Sequence, residues 1–530
     1  MSDDYAHCIW LRDCKQETIE EIQGQVKGTI PEWLEGRVTR NGPGKLQVGD
    51  TQYNHLFDAL AMLHQFNISR GEVTYRSRFL ESDTYLRNMK ANRIVVTEFG
   101  TAGYPDPCIT LYQKFKNFFS IPSPDKSMSD NCLVSVCQVK DEMFALTENA
   151  FIRKFDPKTL KTLDKVLLTN YVAVNLATAH PHIGNGGNIY NMGSSITNIS
   201  GPCYNVIEMP MGKIENAKVV ATVPCLRRMS PSYFHSFGIS ENYWVLIEQP
   251  LVFRVSKIVR GTVLSNKPPS NALEWLPGEK THFRVISRAT GKLIPTRYTA
   301  DSFVAFHHIN MFEENGQLIM DLCGTEDGES LNMFYVNNLK KLPNDSTRVL
   351  FNTNMRRYIL PLDGVIQASV GHNFIKRTDT SCTAVKQSDG SVHCTTQILY
   401  PEFFEVPRIN YKRNGKSYRY AYGASTKGND LIFERIVKVD VKTGQASVFT
   451  ENEFTIAEPI FVAAPGAVEE DDGVILSTLL NKANPLYVAL LVLNAKDMKE
   501  LARVEFHTKG AVTPTFHGQY VAVGEIFHTY

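Results

Sequence analysis

None of the ten cysteines stands in a CxxC pair or in a dense framework, which excludes a zinc ribbon, a thioredoxin-type redox motif and a small disulfide scaffold. Scattered thiols of this kind read as reduced and mostly buried, as in a cytosolic protein. Long apolar runs are missing too. The longest, Leu486–Leu493 (LYVALLVL), predicts a buried strand and is far too short for a spanning helix. Met1–Cys14 (MSDDYAHCIWLRDC) carries acids and no apolar stretch, which predicts no secretory leader. Neither sign of charge dominates: Lys+Arg 56 against Asp+Glu 55 leaves +1. That balance excludes a nucleic-acid binder built on phosphate neutralisation and an acidic disordered chain. With no long polar linker and no block of like charges, residues 1–530 read as one domain, expected to be soluble and cytoplasmic.

What is present is a succession of short apolar or alternating runs separated by Gly, Asp and Asn turns. Val437, Val439 and Val441 alternate, Lys442-Thr443-Gly444 turns the chain, and Ala446 and Val448 continue. Phe151–Leu163 (FIRKFDPKTLKTL), Phe283–Ile294 (FRVISRATGKLI) and Leu490–Leu501 (LLVLNAKDMKEL) repeat that shape. The turns at Thr443 and Asp497 are separated by about one four-stranded propeller blade, while other gaps are wider and imply insertions. The pattern predicts an all-β chain, a β-propeller of about seven blades whose remaining residues form loops and a helical cap over one face; a pair of β-sandwiches is the alternative.

Among the histidines, context separates four. His180 lies in ATAHPH, His235 in SPSYFHSFG, His307 in FVAFHHINMFEE and His517 in PTFHG. Small and aromatic neighbours make a cationic imidazole costly there and a neutral, metal-bound one acceptable. Their spacing is far wider than a zinc finger or an HExxH helix allows. Ligands so dispersed meet only if each comes from a different element around a common centre, which the axis of a propeller provides. Three glutamates occupy apolar, strand-like settings where an unpaired charge is avoided: Glu148 in FALTE, Glu405 in FFEVP and Glu458 in AEPIFV. Carboxylates so placed suit the second N–H of a metal-bound imidazole.

Taken in order, Arg40–Gly44 (RNGPG), His55–His64 (HLFDALAMLH), Thr97–Cys108 (TEFGTAGYPDPC), ATAHPH, YFHSFG, AEPIF and Glu469–Gly473 (EEDDG) resemble the carotenoid cleavage oxygenase family over almost the whole chain. Trp10–Cys14 (WLRDC) and Glu505–Gly510 (EFHTKG) are most similar to its insect branch, the carotenoid isomerooxygenases of the NinaB type; vertebrate β-carotene 15,15′-oxygenases and the retinoid isomerohydrolase share other stretches. The resemblance implies a seven-bladed propeller with a helical cap and one ferrous iron held on the axis by His180, His235, His307 and His517. His307 is chosen over His308 because it follows Phe306 as in the family pattern. Glu148, Glu405 and Glu458 map to the carboxylates behind the ligands. Ala59 departs from the pattern, since many relatives carry Gly there.

The implied chemistry is addition of O₂ across a central C=C of a carotenoid such as β-carotene or zeaxanthin, giving two aldehydes. The polyene supplies the electrons, so no reductant and no organic cofactor are expected. Isomerisation to an 11-cis retinoid is expected alongside cleavage; cleavage at the 15,15′ or 9,10 bond without isomerisation, retinyl-ester isomerohydrolysis, and a non-catalytic carotenoid carrier are the alternatives. Phe57, Phe99, Thr147 and Phe516 lie in or beside family motifs and are the expected pocket lining. Because a carotenoid is nearly insoluble, the protein is expected to contact a membrane peripherally through two segments of basic and apolar residues, 109–122 (ITLYQKFKNFFSIP) and 251–264 (LVFRVSKIVRGTVL), read as amphipathic helices. Cys108 matches an acylated position of a relative.

Overall fold

The computed structural model describes residues 8–104, 128–195, 201–341, 352–427, 431–524 and 527–528. Their strands assemble into seven main sheets, each an antiparallel blade of a seven-bladed β-propeller with local additions. Blade one contains Gly36–Lys45, Leu60–Ser69 and Glu72–Phe79. Blade two runs from Ser135–Val139 to Thr162–Leu167, blade three from Leu176–Ala177 to Lys218–Pro224, and blade four begins at Gly238–Ile239. Blades five, six and seven begin at Val304–Glu314, Glu405–Ile409 and Phe454–Ile456.

The ends of the chain close the ring. His517–Ala522 returns to become the innermost strand of blade one, with His517 opposite Asn41. Thr18–Gln23 then edges blade one on the outside and Gln25–Gly28 edges blade seven. A ring closed by strands from both termini cannot open at one seam without breaking two ladders.

Sequence pattern follows position. Glu72–Phe79 alternates, burying Val73, Tyr75, Ser77 and Phe79, as a strand with one wet face should. Tyr487–Asn494 is buried almost continuously because a central blade strand is covered by neighbouring blades on both faces. The hairpins behave similarly: Val437 pairs with Val448 and Val439 with Ala446, and Phe151–Phe155 pairs with Thr162–Leu167. Phe283–Ile294 differs, its return arm reduced to a bridge between Ile286 and Leu293. Insertions explain the irregular spacing, since blade four pairs its strand Tyr298–Ala300 with the distant Val392–Cys394. The nine described cysteines are all buried.

The reading of 251–264 as one amphipathic helix is corrected. Leu251–Phe253 is a strand paired with Leu273–Trp275, and Val252 is fully buried instead of facing a lipid surface. Helix begins only at Val255, and Val259–Leu264 forms a π turn. Apolar and basic residues mixed over so short a run fit either period, and the ladder to 273–275 decides. Segment 109–122 and Cys108 lie outside the described residues. Among the described residues no helix is long and apolar enough to cross a membrane. Ala59 has φ −57° and ψ 143°, a conformation open to any residue, so the missing glycine costs nothing.

Candidate metal centre

Each blade sends one residue to the axis. His517 comes from blade one, Glu148 from the turn after Glu142–Leu146 of blade two, and His180 from between the short strands of blade three. His235 precedes Gly238–Ile239 of blade four and His307 lies in Val304–Glu314 of blade five. Glu405 heads its strand in blade six, and Glu458 lies between two short strands of blade seven.

Donor atoms of the four histidines lie within 4.8 Å of one another. Successive Nε2 atoms stand 2.8 Å apart from His180 to His235, 3.1 Å from His235 to His307, and 3.3 Å from His307 to His517. Behind them, His235 Nδ1 meets Glu148 Oε1 at 2.5 Å, His307 Nδ1 meets Glu405 Oε2 at 2.5 Å, and His517 Nδ1 meets Glu458 Oε1 at 2.8 Å. An ionised carboxylate only accepts, so each of these three imidazoles carries its hydrogen on Nδ1 and turns a bare Nε2 lone pair inward. Lone pairs gathered this closely repel one another unless a cation lies between them. Two nitrogens each about 2.1 Å from one metal and at right angles stand about 3.0 Å apart, which matches the observed spacing. The residues therefore fit a divalent metal ion, and imidazole nitrogen suits iron among the first-row metals.

Electrostatics agree with neutral ligands. Burial, reinforced by His235, His517 and His307, holds His180 well below the ordinary histidine range. Burial likewise takes His517 down to about 3, against the opposing pull of Glu458. For Glu458 burial pushes upward, yet Arg408, His517 and Arg40 together outweigh it and keep the carboxylate well below its usual range.

Local structure aims these groups. In blade five the register shifts on both sides of His308, and the two adjacent histidines part company. His307 turns to the cluster, while His308 Nδ1 is bonded to Ser236 Oγ at 2.8 Å. Val406 adopts φ 45°, a left-handed conformation that a β-branched residue avoids at a cost of order 1–3 kcal/mol. The strained residue gives its N–H to Glu405 Oε2 at 2.8 Å, so the strain directs the carboxylate toward His307. Gly42 is required where the chain before His517 crosses blade one, since a Cβ there would stand 2.6 Å from Thr515 Cα.

Of the four expected pocket residues, three share one aromatic array. Phe57 meets Phe516 edge-to-face at 5.2 Å, and His55 links Phe57 to Phe99 with centroids at 5.0 and 5.1 Å. Trp10 stacks on Phe516 at 6.0 Å and donates its indole N–H to Leu431 O. Thr147 lies apart from that array, half-buried beside Glu148.

Three functional candidates escaped the sequence reading. Arg408 forks onto Glu458, Nε to Oε1 at 2.9 Å and Nη2 to Oε2 at 3.1 Å. Arg40 Nη2 lies 3.7 Å from Glu458 Oε2, and its Nη1 donates to the Glu458 main-chain oxygen. Tyr233 donates its hydroxyl to Glu148 Oε2 at 3.0 Å. Arg40 and Tyr233 stand inside the quoted motifs, and Arg408 follows Glu405 by three residues; proximity to a motif was the only available signal.

Comparison with known proteins gives one consistent result. The sequence profile described as Retinal pigment epithelial membrane protein matches residues 11–522. The β,β-carotene 15,15′-dioxygenase of Rattus norvegicus is 42% identical over 499 residues, covering 92% of this chain and 87% of that protein. The mitochondrial carotenoid-cleaving dioxygenase of Mustela putorius furo is 39% identical over 524 residues, covering 96% and 95%. The crystal structure of cobalt-substituted Synechocystis apocarotenoid oxygenase superposes with a TM-score of 0.76 at 20% identity, covering 98% of this chain and 99% of that one, which establishes a shared fold.

Proposed function

The chain belongs to the retinal pigment epithelial membrane protein family, and from that premise we propose that it is a carotenoid oxygenase cleaving a central C=C of its substrate with O₂ into two aldehydes. The family depends on non-haem iron, and the cluster of four imidazoles fits that ion. The observation that carries the reading is the convergence of His180, His235, His307 and His517, three of them backed by Glu148, Glu405 and Glu458. The four histidines hold the iron, and the three glutamates fix the tautomers and orientation of His235, His307 and His517. When bound, the iron supplies a ferrous centre for O₂ chemistry on the electron-rich polyene.

The chain's own residues do the rest. Phe57, Phe99 and Phe516 offer ring faces and edges along which a polyene lies, and Thr147 adds a small polar flank beside Glu148. The negative faces of those rings and the carboxylate of Glu148 stabilise positive charge developing along the polyene. Tyr233, donating to Glu148, holds that carboxylate against His235 and keeps Nδ1 protonated. In this proposal residues 1–530 act as one domain, and the helices Asp83–Ala91, Val255–Ile258 and Val336–Leu339 belong to its cap. Peripheral membrane contact through 109–122 delivers the insoluble substrate at the cytoplasmic side.

The test is turnover of β-carotene by the purified iron protein under labelled O₂: label in both aldehydes is expected, and retinyl-ester conversion without O₂ would replace the reading. Coupled isomerisation to an 11-cis retinoid is the finer part. Cleavage at the 15,15′ bond alone is a second reading, favoured by the names of the relatives at 41–42% identity. Chromatography of the retinal isomers from a single incubation separates the two.

A further inference from the structure

The three carboxylates behind the histidines do not stand on equal electrostatic terms. Among the described residues, Glu148 meets no arginine or lysine; its partners are His235 and the Tyr233 hydroxyl. Glu405 is likewise met by His307 and the Val406 N–H. Glu458 is different. Arg408 takes both of its oxygens in a fork, and Arg40 approaches Oε2 from another side. Arg40 and Glu458 are without side-chain exposure and Arg408 keeps only 11%, so water screens little of this charge. Arg40 is itself fixed by Thr515 Oγ1 at 2.8 Å and by the Glu458 main-chain oxygen at 3.1 Å. Arg408 is fixed by the main-chain oxygen of Gly518, the residue after His517.

A carboxylate bonded to the far nitrogen of a metal-bound imidazole raises the ligand's basicity by drawing on the shared proton. Two guanidinium groups on the same carboxylate withdraw that effect. We propose that Arg40 and Arg408 are positioning residues that cancel the charge of Glu458, so that, of the three imidazoles backed by a carboxylate, His235 and His307 are the strong electron donors to bound iron and His517 is the weak one. The arginines thereby favour the ferrous over the ferric ion, because weakening a donor takes more stabilisation from Fe(III) than from Fe(II). The inference rests on the assignment of iron to the four histidines.

The experiment is a mediated redox titration of the iron-loaded full chain, Fe(III) accepting one electron from the mediator to give Fe(II), followed by the ferric electron paramagnetic resonance signal and with iron content measured on each sample. Arg40→Gln and Arg408→Gln are expected to shift the ferric-to-ferrous ratio at fixed potential at least tenfold toward ferric, a fall of about 59 mV for this one-electron couple. Arg40→Lys, which keeps the charge, is expected to stay near the wild-type value. Glu405→Gln is expected to move the potential the other way, since an uncompensated negative charge is removed. A fall of this size in Arg408→Gln supports the proposal even where the buried Arg40→Gln fails to fold. Iron-loaded Arg→Gln variants with wild-type potentials would overturn it. Wild-type protein that binds no iron would overturn the assignment of the ligands instead, and the two failures are told apart by metal content.

Discussion

His517 is tied to Glu458 twice: its Nδ1–H reaches Oε1 at 2.8 Å, and the backbone N–H of the next residue, Gly518, reaches Oε2 at 2.9 Å. With Arg408 and Arg40 also on that carboxylate, one side chain anchors the strand that closes the ring. Replacing it leaves two guanidinium groups buried without their counter-charge, a loss of about 3–5 kcal/mol. Glu148 has a side chain 30% exposed and faces no cation among the described residues, so its removal costs about 1–2 kcal/mol. Glu458→Ala is therefore expected to unfold at markedly lower denaturant than Glu148→Ala. Equal midpoints in paired urea titrations would show that the arginine fork contributes no stability.

His235 and His308 test which imidazoles hold metal. His235 presents Nε2 to both His180 and His307, whereas His308 is engaged by Ser236. Metal analysis of purified protein is expected to find His235→Ala essentially free of iron and His308→Ala with most of its iron. Loss of iron in His308→Ala would move the ligand within the His307–His308 pair, and retention in His235→Ala would remove His235 from the ligand set.

The residues that meet on the axis were legible because their surroundings are abnormal for their type: a histidine or glutamate among phenylalanines, alanines and prolines needs a partner, as Glu405 in FFEVP does. The seven-bladed ring followed from turn-punctuated hairpins such as Val437–Val448. Neither pattern could reveal Arg40, which reaches Glu458 across 418 residues of sequence. Nothing local distinguishes Val406 either, because its φ of 45° is imposed by the tertiary need to aim Glu405. Leu251–Phe253 misled because three apolar residues before a basic one suit a strand and an amphipathic helix alike; only the partner Leu273–Trp275, set by the fold, distinguishes them.

Glu405→Gln separates orientation from charge. The amide keeps the shape, and its oxygen still accepts from His307 Nδ1 and from the Val406 N–H, the two bonds that Oε2 makes. What is lost is the negative charge that raises the basicity of His307. Iron occupancy is expected to remain near the wild-type level while turnover of β-carotene slows about 10–100-fold, the usual scale for losing a carboxylate behind a ligand. Undiminished turnover would make Glu405 a purely structural residue.

Away from the axis, Asp58 sets a pH dependence of stability. Its carboxyl is fully buried, and burial raises it to about 7 against the lowering effect of hydrogen bonds from Thr101 Oγ1 and the Gly100 N–H. Glu98, buried nearby, is itself raised well above its usual range, by burial first and then by Asp58. In the unfolded chain Asp58 loses its proton near pH 4, whereas in the folded chain it keeps it until about pH 7. Between those values the folded state binds the extra proton, so its contribution falls as pH rises, by on the order of 4 kcal/mol across the window. Below pH 4 and above pH 7 this group adds no slope. Asp58→Asn keeps an oxygen for Thr101 and Gly100 and removes the titration. Chemical denaturation at successive pH values from 4.5 to 7.5 is expected to show wild-type stability declining relative to Asp58→Asn with rising pH. Parallel curves over that range would mean that Asp58 ionises normally in the folded protein.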